Sequence, residues 1–127
     1  RTEINNWKSR PDLQGRAQAH APKKSYALGM NWSITNRASL SADVVGKSSF
    51  YYSDSHNNQS KSYSLTNINF DYLIGRWTYS IWARNIFDKY YSVRGFYFGN
   101  EAPDFKDKLY ERHGDPRHIG ITARYDF

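Results

Sequence analysis

Cysteine is absent from this sequence, which excludes a disulfide framework, a thiolate metal site and a cysteine nucleophile. Long apolar runs are missing too: no stretch approaches the roughly 18 consecutive apolar residues of a helical membrane span. Acidic residues are in the minority, 12 Asp+Glu against 18 Lys+Arg, giving a formal charge of +6. No start Met and no charged-then-apolar leader is recognisable from Arg1 onward, so a processed chain or an excerpt of a longer one is expected. Aromatic residues, in contrast, are plentiful. Four Trp, eleven Tyr and seven Phe make up 17% of the chain, too many for a disordered basic tail. At 127 residues the length fits one domain. The mean hydropathy of −0.86 leaves a membrane role open, because transmembrane β-barrels alternate apolar and polar residues and hide from such averages.

Alternation runs through the chain. Tyr26, Leu28, Met30, Trp32 and Ile34 fall on one face, with Ala27, Gly29, Asn31 and Ser33 on the other. Leu40, Ala42 and Val44 then oppose Ser39, Ser41 and Asp43, and Ile68, Phe70, Tyr72 and Ile74 oppose Asn67, Asn69 and Asp71. Trp77, Tyr79, Ile81 and Ala83 alternate with Thr78, Ser80, Trp82 and Arg84. The last segment sets Ile119, Ile121, Ala123, Tyr125 and Phe127 against His118, Gly120, Thr122, Arg124 and Asp126. A period of two predicts strands, here five. No segment has a helical period.

The connections alternate as well. Residues 35–37 and 75–76 are expected to be tight turns; 1–22, 53–61 and 89–115 are long and polar or glycine-containing. Short periplasmic turns opposite long extracellular loops are the pattern of an outer-membrane barrel. Height sorts the aromatics: Trp32, Tyr72, Trp77, Tyr125 and Phe127 lie near the short-turn end. Tyr26, Phe50, Tyr51, Tyr52 and Tyr63 lie near the long-loop end. Two aromatic girdles around an aliphatic band are what two bilayer interfaces select. A soluble antiparallel sandwich explains the alternation but not this sorting. Five strands cannot close a transmembrane barrel, which starts at about eight. An open edge in lipid leaves backbone groups unsatisfied at several kcal/mol each. The expectation is therefore an all-β, antiparallel transmembrane β-barrel segment, the C-terminal part of a larger barrel or one that assembles with other chains.

Three motifs carry a family resemblance. Asn85-Ile86-Phe87-Asp88-Lys89-Tyr90-Tyr91 resembles the N-L-F-D-K-x-Y segment near the end of TonB-dependent outer-membrane receptors. Gly114-Asp115-Pro116-Arg117, followed by alternation to Phe127, resembles their last strand. Ala21-Pro22-Lys23 entering Tyr26-Ala27-Leu28-Gly29 is similar to a loop entry three hairpins earlier. Ile86 replaces the more usual Leu. The resemblance implies a plugged barrel of about 22 strands, of which this chain is the last five or so. It further implies energised import of a scarce ligand, commonly a ferric siderophore, across the bacterial outer membrane. TonB would act through a plug region missing here, and the barrel-assembly machinery would read a terminal signal that includes Tyr125 and Phe127.

Each motif also has a local physical reading. Pro116 lacks an N–H and suits a strand start. Asn85 and Asp88 suit bonds to nearby backbone amides at a strand exit, and Arg117 beside Asp115 suits an exposed ion pair. Asp71 is expected to pair with Arg84 or Arg124. The stretch 89–115 exceeds the roughly 12–15 residues beyond which a loop is functional or disordered, and it is too aromatic for simple disorder. Arg94, Tyr97 and Tyr110 are therefore candidates for an extracellular ligand vestibule, against the alternative of packing on neighbouring loops.

Catalysis has no support. His20, His56, His113 and His118 lack metal-ligand spacing, and no nucleophile, phosphate-loop or zinc motif is present. No cofactor is expected. The Arg94-Gly95-Phe96-Tyr97-Phe98 stretch mixes charge and aromatics, but no nucleotide-binding fold motif accompanies it. Cationic loops fit anionic chelates or anionic outer-membrane lipid equally well. The competing function classes are another outer-membrane barrel, such as a porin or adhesin, and a soluble β-sheet binding domain.

Overall fold

The computed structural model describes residues 3–5 and 8–127; residues 1, 2, 6 and 7 of the expected first loop lie outside the described residues. Seven strands form: β1 (Ser25–Thr35), β2 (Ala38–Lys47), β3 (Tyr63–Ile74), β4 (Trp77–Arg84), β5 (Ser92–Phe98), β6 (Lys108–His113) and β7 (His118–Tyr125). The five alternating segments of the sequence become one five-stranded sheet in the order β1-β2-β3-β4-β7. The expected tight turns join β1 to β2 and β3 to β4. The remaining helical structure among the described residues is one 3-10 turn, Pro11–Leu13.

Register decides which side chains share a face. β3 pairs antiparallel with β4 and β4 with β7. From the turn end, the rows of the apolar face read Ile74–Trp77–Tyr125, Tyr72–Tyr79–Ala123, Phe70–Ile81–Ile121 and Ile68–Ala83–Ile119. Period two alone places every residue of these rows on one face, and a slip of one residue would break all four. The opposite face carries Asn69–Trp82–Gly120, Asp71–Ser80–Thr122 and Leu73–Thr78–Arg124. The leucine is the one aliphatic side chain in those three rows.

Aromatic rings cluster at the turn end. The Trp77 ring centroid lies 5.0 Å from that of Tyr125, and Tyr125 meets Phe127 edge-on at 5.1 Å. The second girdle expected at the loop end does not form as a row. Phe50 and Tyr52 are instead buried at 5% and 3% exposure, in edge contact at 5.6 Å. Long polar segments need apolar anchors of their own, and these two rings supply them. Tyr26 keeps an exposed position on the sheet face.

Contacts divide the chain into two compact units. One, Tyr26–Gly46, Ser64–Lys89 and Asp115–Phe127, is built on the five-stranded sheet; the other is Arg1–Ser25, Lys47–Tyr63 and Tyr90–Gly114. The second unit contains the β5–β6 hairpin, where the sequence predicted only a loop. Its Arg94-Gly95-Phe96-Tyr97-Phe98 run puts bulky residues on both faces of the strand, and a register shift between Ser92 and Arg94 breaks the alternation. Period two is invisible in such a segment. In the sheet, β1 is exposed along its whole length and β7 everywhere except half-buried Gly120. The apolar face is equally open: Leu28, Ile81 and Ile121 are 68%, 53% and 76% exposed.

Candidate functional site

The two C-terminal motifs meet where β4 ends and β7 begins. Asn85 is 4% exposed and adopts φ 48°, a left-handed conformation that asparagine tolerates better than most residues. Its side-chain amide donates to the carbonyls of Lys89 at 3.0 Å and Asp115 at 3.1 Å. The amide oxygen accepts the Lys89 N–H at 2.9 Å. Asp88, also left-handed at φ 50°, accepts the backbone N–H of Arg117 at 2.8 Å. Gly114 donates its N–H to the Tyr91 carbonyl at 2.9 Å, and an added Cβ there would stand 1.9 Å from the Tyr91 ring. Asn85 and Asp88 thus clasp the backbone of Asp115 and Arg117 across about 30 residues of chain within the sheet unit, while the Tyr91–Gly114 bond lies within the other unit. Pro116 sits just ahead of β7, and Phe87 points out at 67% exposure. The expected Arg117–Asp115 ion pair is not made; Arg117 contributes its backbone rather than its guanidinium.

The vestibule candidates do not share one surface. Antiparallel register pairs Arg94 with Arg112, Phe96 with Tyr110 and Phe98 with Lys108 on one face of the hairpin. Tyr97 pairs with Leu109 and belongs to the other face. There the Tyr97 ring stacks on His56 at 3.6 Å, nearly parallel at 7°. His56 reaches Ser53 Oγ through Nδ1 at 3.0 Å and stands 3.5 Å from Asp107 through Nε2. Gly95 lies against Tyr52, so that a Cβ would meet the ring at 2.5 Å, and its carbonyl bonds His20 Nε2 at 2.7 Å. Burial raises the Tyr52 hydroxyl above its ordinary value, and the nearby Glu111 carboxylate adds to the shift. Tyr97 is therefore a packing residue, while Arg94 and Tyr110 face outward.

On that outward face the Tyr110 hydroxyl donates to Glu101 at 2.6 Å, and Lys108 pairs with the same carboxylate. These two donors hold the Glu101 carboxyl below the usual carboxylate range. Reciprocally, the carboxylate raises both Lys108 and Tyr110. Phe96 and Tyr110 stack at 5.7 Å and 21°.

Among the described residues, Asp43 and Asp71 on the polar face of the sheet are hydrogen-bonded without ion pairing. Asp71 accepts from Asn69 at 2.7 Å and from the Ser80 hydroxyl, in place of the expected Arg84 or Arg124. Arg124, in the adjacent row, turns instead to Asp126 at 3.4 Å, and Arg84 lies over Trp82 at 5.8 Å. Asp43 accepts from Asn67 at 2.7 Å. Trp82, which period alone marks only as one of many polar-face residues, lies across Gly120 and donates its indole N–H to Thr122 at 3.2 Å. A cleft of about 400 Å³ runs beside it, bounded by Asp43, Asn67, Asn69 and Arg84. Among the described residues no group of three potential metal ligands comes together.

The arrangement offers hydrogen-bonding surfaces and a clasp. The chain matches no protein-family model, no curated protein and no solved structure.

Proposed function

We propose that this chain is C-terminal barrel wall and extracellular loop of a TonB-dependent outer-membrane receptor, importing a scarce ligand such as a ferric siderophore. The observation that carries the reading is the order of the sheet rows. An aromatic row at the turn end gives way to Phe70–Ile81–Ile121 and Ile68–Ala83–Ile119 on one face, while the other face stays mainly polar. A bilayer on one side and a wet lumen on the other select that order. The contacts of Asn85 and Asp88 with Asp115 and Arg117 support it, because they give the two motifs a shared task where β4 ends and β7 begins.

In this reading TonB acts through a plug region outside this chain, the apolar face meets outer-membrane lipid, and Tyr125 and Phe127 belong to the signal read by the barrel-assembly machinery. The test is the protein encoded by the full reading frame. Expected are an upstream plug and TonB-contact segment, recovery in the outer-membrane fraction, and ligand uptake that stops when TonB is deleted. Recovery from the soluble fraction would overturn the barrel. An outer-membrane barrel whose solute flux ignores TonB would be a porin or adhesin instead.

A further inference from the structure

The outward face of the β5–β6 hairpin contains an arrangement that folding alone does not favour. Arg94 and Arg112 are directly opposite in register, and like charges so placed repel. Both are exposed, and among the described residues neither guanidinium makes a side-chain hydrogen bond or ion pair. The acidic groups nearby are engaged elsewhere: Glu101 by Lys108 and Tyr110, Glu111 toward His113 at 4.0 Å. The next row along the strands, about 7 Å away for two residues, is the Phe96–Tyr110 stack, and beyond it Phe98 is 54% exposed. The hairpin's other face is occupied, by Tyr52 against Gly95 and by His56 against Tyr97. The guanidinium pair is therefore backed by a packed scaffold and faces outward.

We propose that Arg94 and Arg112 form a binding site for a phosphate-class oxyanion whose apolar or planar body rests on Phe96 and Tyr110. Two guanidinium forks present parallel N–H donors that match a tetrahedral oxyanion better than ammonium groups do. A bound dianion also removes the repulsion between the two arginines. The aromatic pair adjoining them supplies an apolar surface for whatever carries the phosphate. The inference stands on the hairpin and is independent of whether the sheet spans a membrane. A soluble phosphoester and a lipid headgroup present the same chemistry, so the experiment separates them.

The full 127-residue chain, folded in a non-ionic detergent, is titrated with phenyl phosphate and followed by calorimetry. A parallel sample in nanodiscs of phosphatidylglycerol or phosphatidylcholine is followed by amide exchange in β5 and β6. Saturable phenyl phosphate binding that weakens at least about tenfold in R94Q/R112Q establishes the site with a soluble ligand. Slower exchange in phosphatidylglycerol alone, lost in the double variant, establishes it with a lipid headgroup. R94K/R112K keeps the charge and loses the forks; it should bind more weakly than the parent and more tightly than the glutamine variant. Amide exchange of β5 and β6 in plain detergent checks that each variant keeps the hairpin. With the hairpin intact, binding to neither probe, or equal binding by parent and R94Q/R112Q, overturns the proposal.

Discussion

Asn85 shows how much of a site one residue can hold. Its side chain makes three hydrogen bonds from a buried, left-handed position. Asn85→Ala removes all three and leaves buried backbone groups without partners, for a cost of about 2–4 kcal/mol. Asn85→Gly loses the same bonds but relieves the left-handed backbone, and should be milder by roughly 1 kcal/mol. Denaturant unfolding in detergent checks both values; an alanine variant as stable as the parent would remove the clasp from the account. The local role of this residue was legible, since asparagine before a short polar exit reads as a turn former. Its distant partners were not. Nothing in the spacing of Asn85, Asp115 and Arg117 says that the two segments touch, because the intervening chain is free to close the gap or not.

Elements were legible where one face differs from the other. β1 to β4 and β7 announced themselves through alternation, and their register followed because each has one apolar face to align. The β5–β6 hairpin lacked that contrast and read as loop, which also concealed the Arg94–Arg112 pairing and split the vestibule trio across two faces. Gly95 is the packing hinge of this element. An Ala there would press on Tyr52, which is itself buried and in contact with Phe50. Gly95→Ala should therefore cost about 1–3 kcal/mol by overpacking, seen as faster amide exchange along β5 with the five-stranded sheet unchanged. Slow exchange matching the parent would mean that the Tyr52 ring moves aside freely.

The hairpin's outward face has its own pH behaviour. Glu101 is held below the usual carboxylate range in the fold, so its contribution is complete above the unfolded value and fades as pH falls through the lowered one. Lys108 and Tyr110 are raised, so their contributions persist below their ordinary values and fade as pH rises beyond them. The three-way contact is thus strongest between the carboxylate range and about pH 10. The side-chain carboxyl resonance of Glu101 should titrate lower than a free glutamate, and Lys108→Met together with Tyr110→Phe should return it to the ordinary range. An unchanged titration in that double variant would contradict the assignment.

At the scale of the whole molecule, the deciding quantity is surface left uncovered. The sheet leaves its apolar face bare, with Leu28, Ile81 and Ile121 each more than half exposed, and its edges are the long strands β1 and β7. Composition concealed this, because polar loops and a polar face offset the apolar rows in any average. Alone in water the chain should aggregate through β1, β7 and the Ile81–Ile121 region. A soluble monomer with one cooperative unfolding transition in plain buffer would refute the membrane reading. Height along the strands gives a sharper discrimination. Ile121→Arg, in an aliphatic row, should cost about 2–4 kcal/mol in a bilayer, and Ile74→Arg, in the row at the turn end, about 0–1 kcal/mol. Thr122→Arg, one residue on and facing the polar side, should be close to neutral. In a soluble sandwich the cost would follow burial against a second sheet, with no dependence on distance from the turns. Folding of the three variants in the full receptor, measured by denaturant titration in lipid vesicles, separates the two patterns. Equal costs for Ile121→Arg and Ile74→Arg would sink the barrel wall.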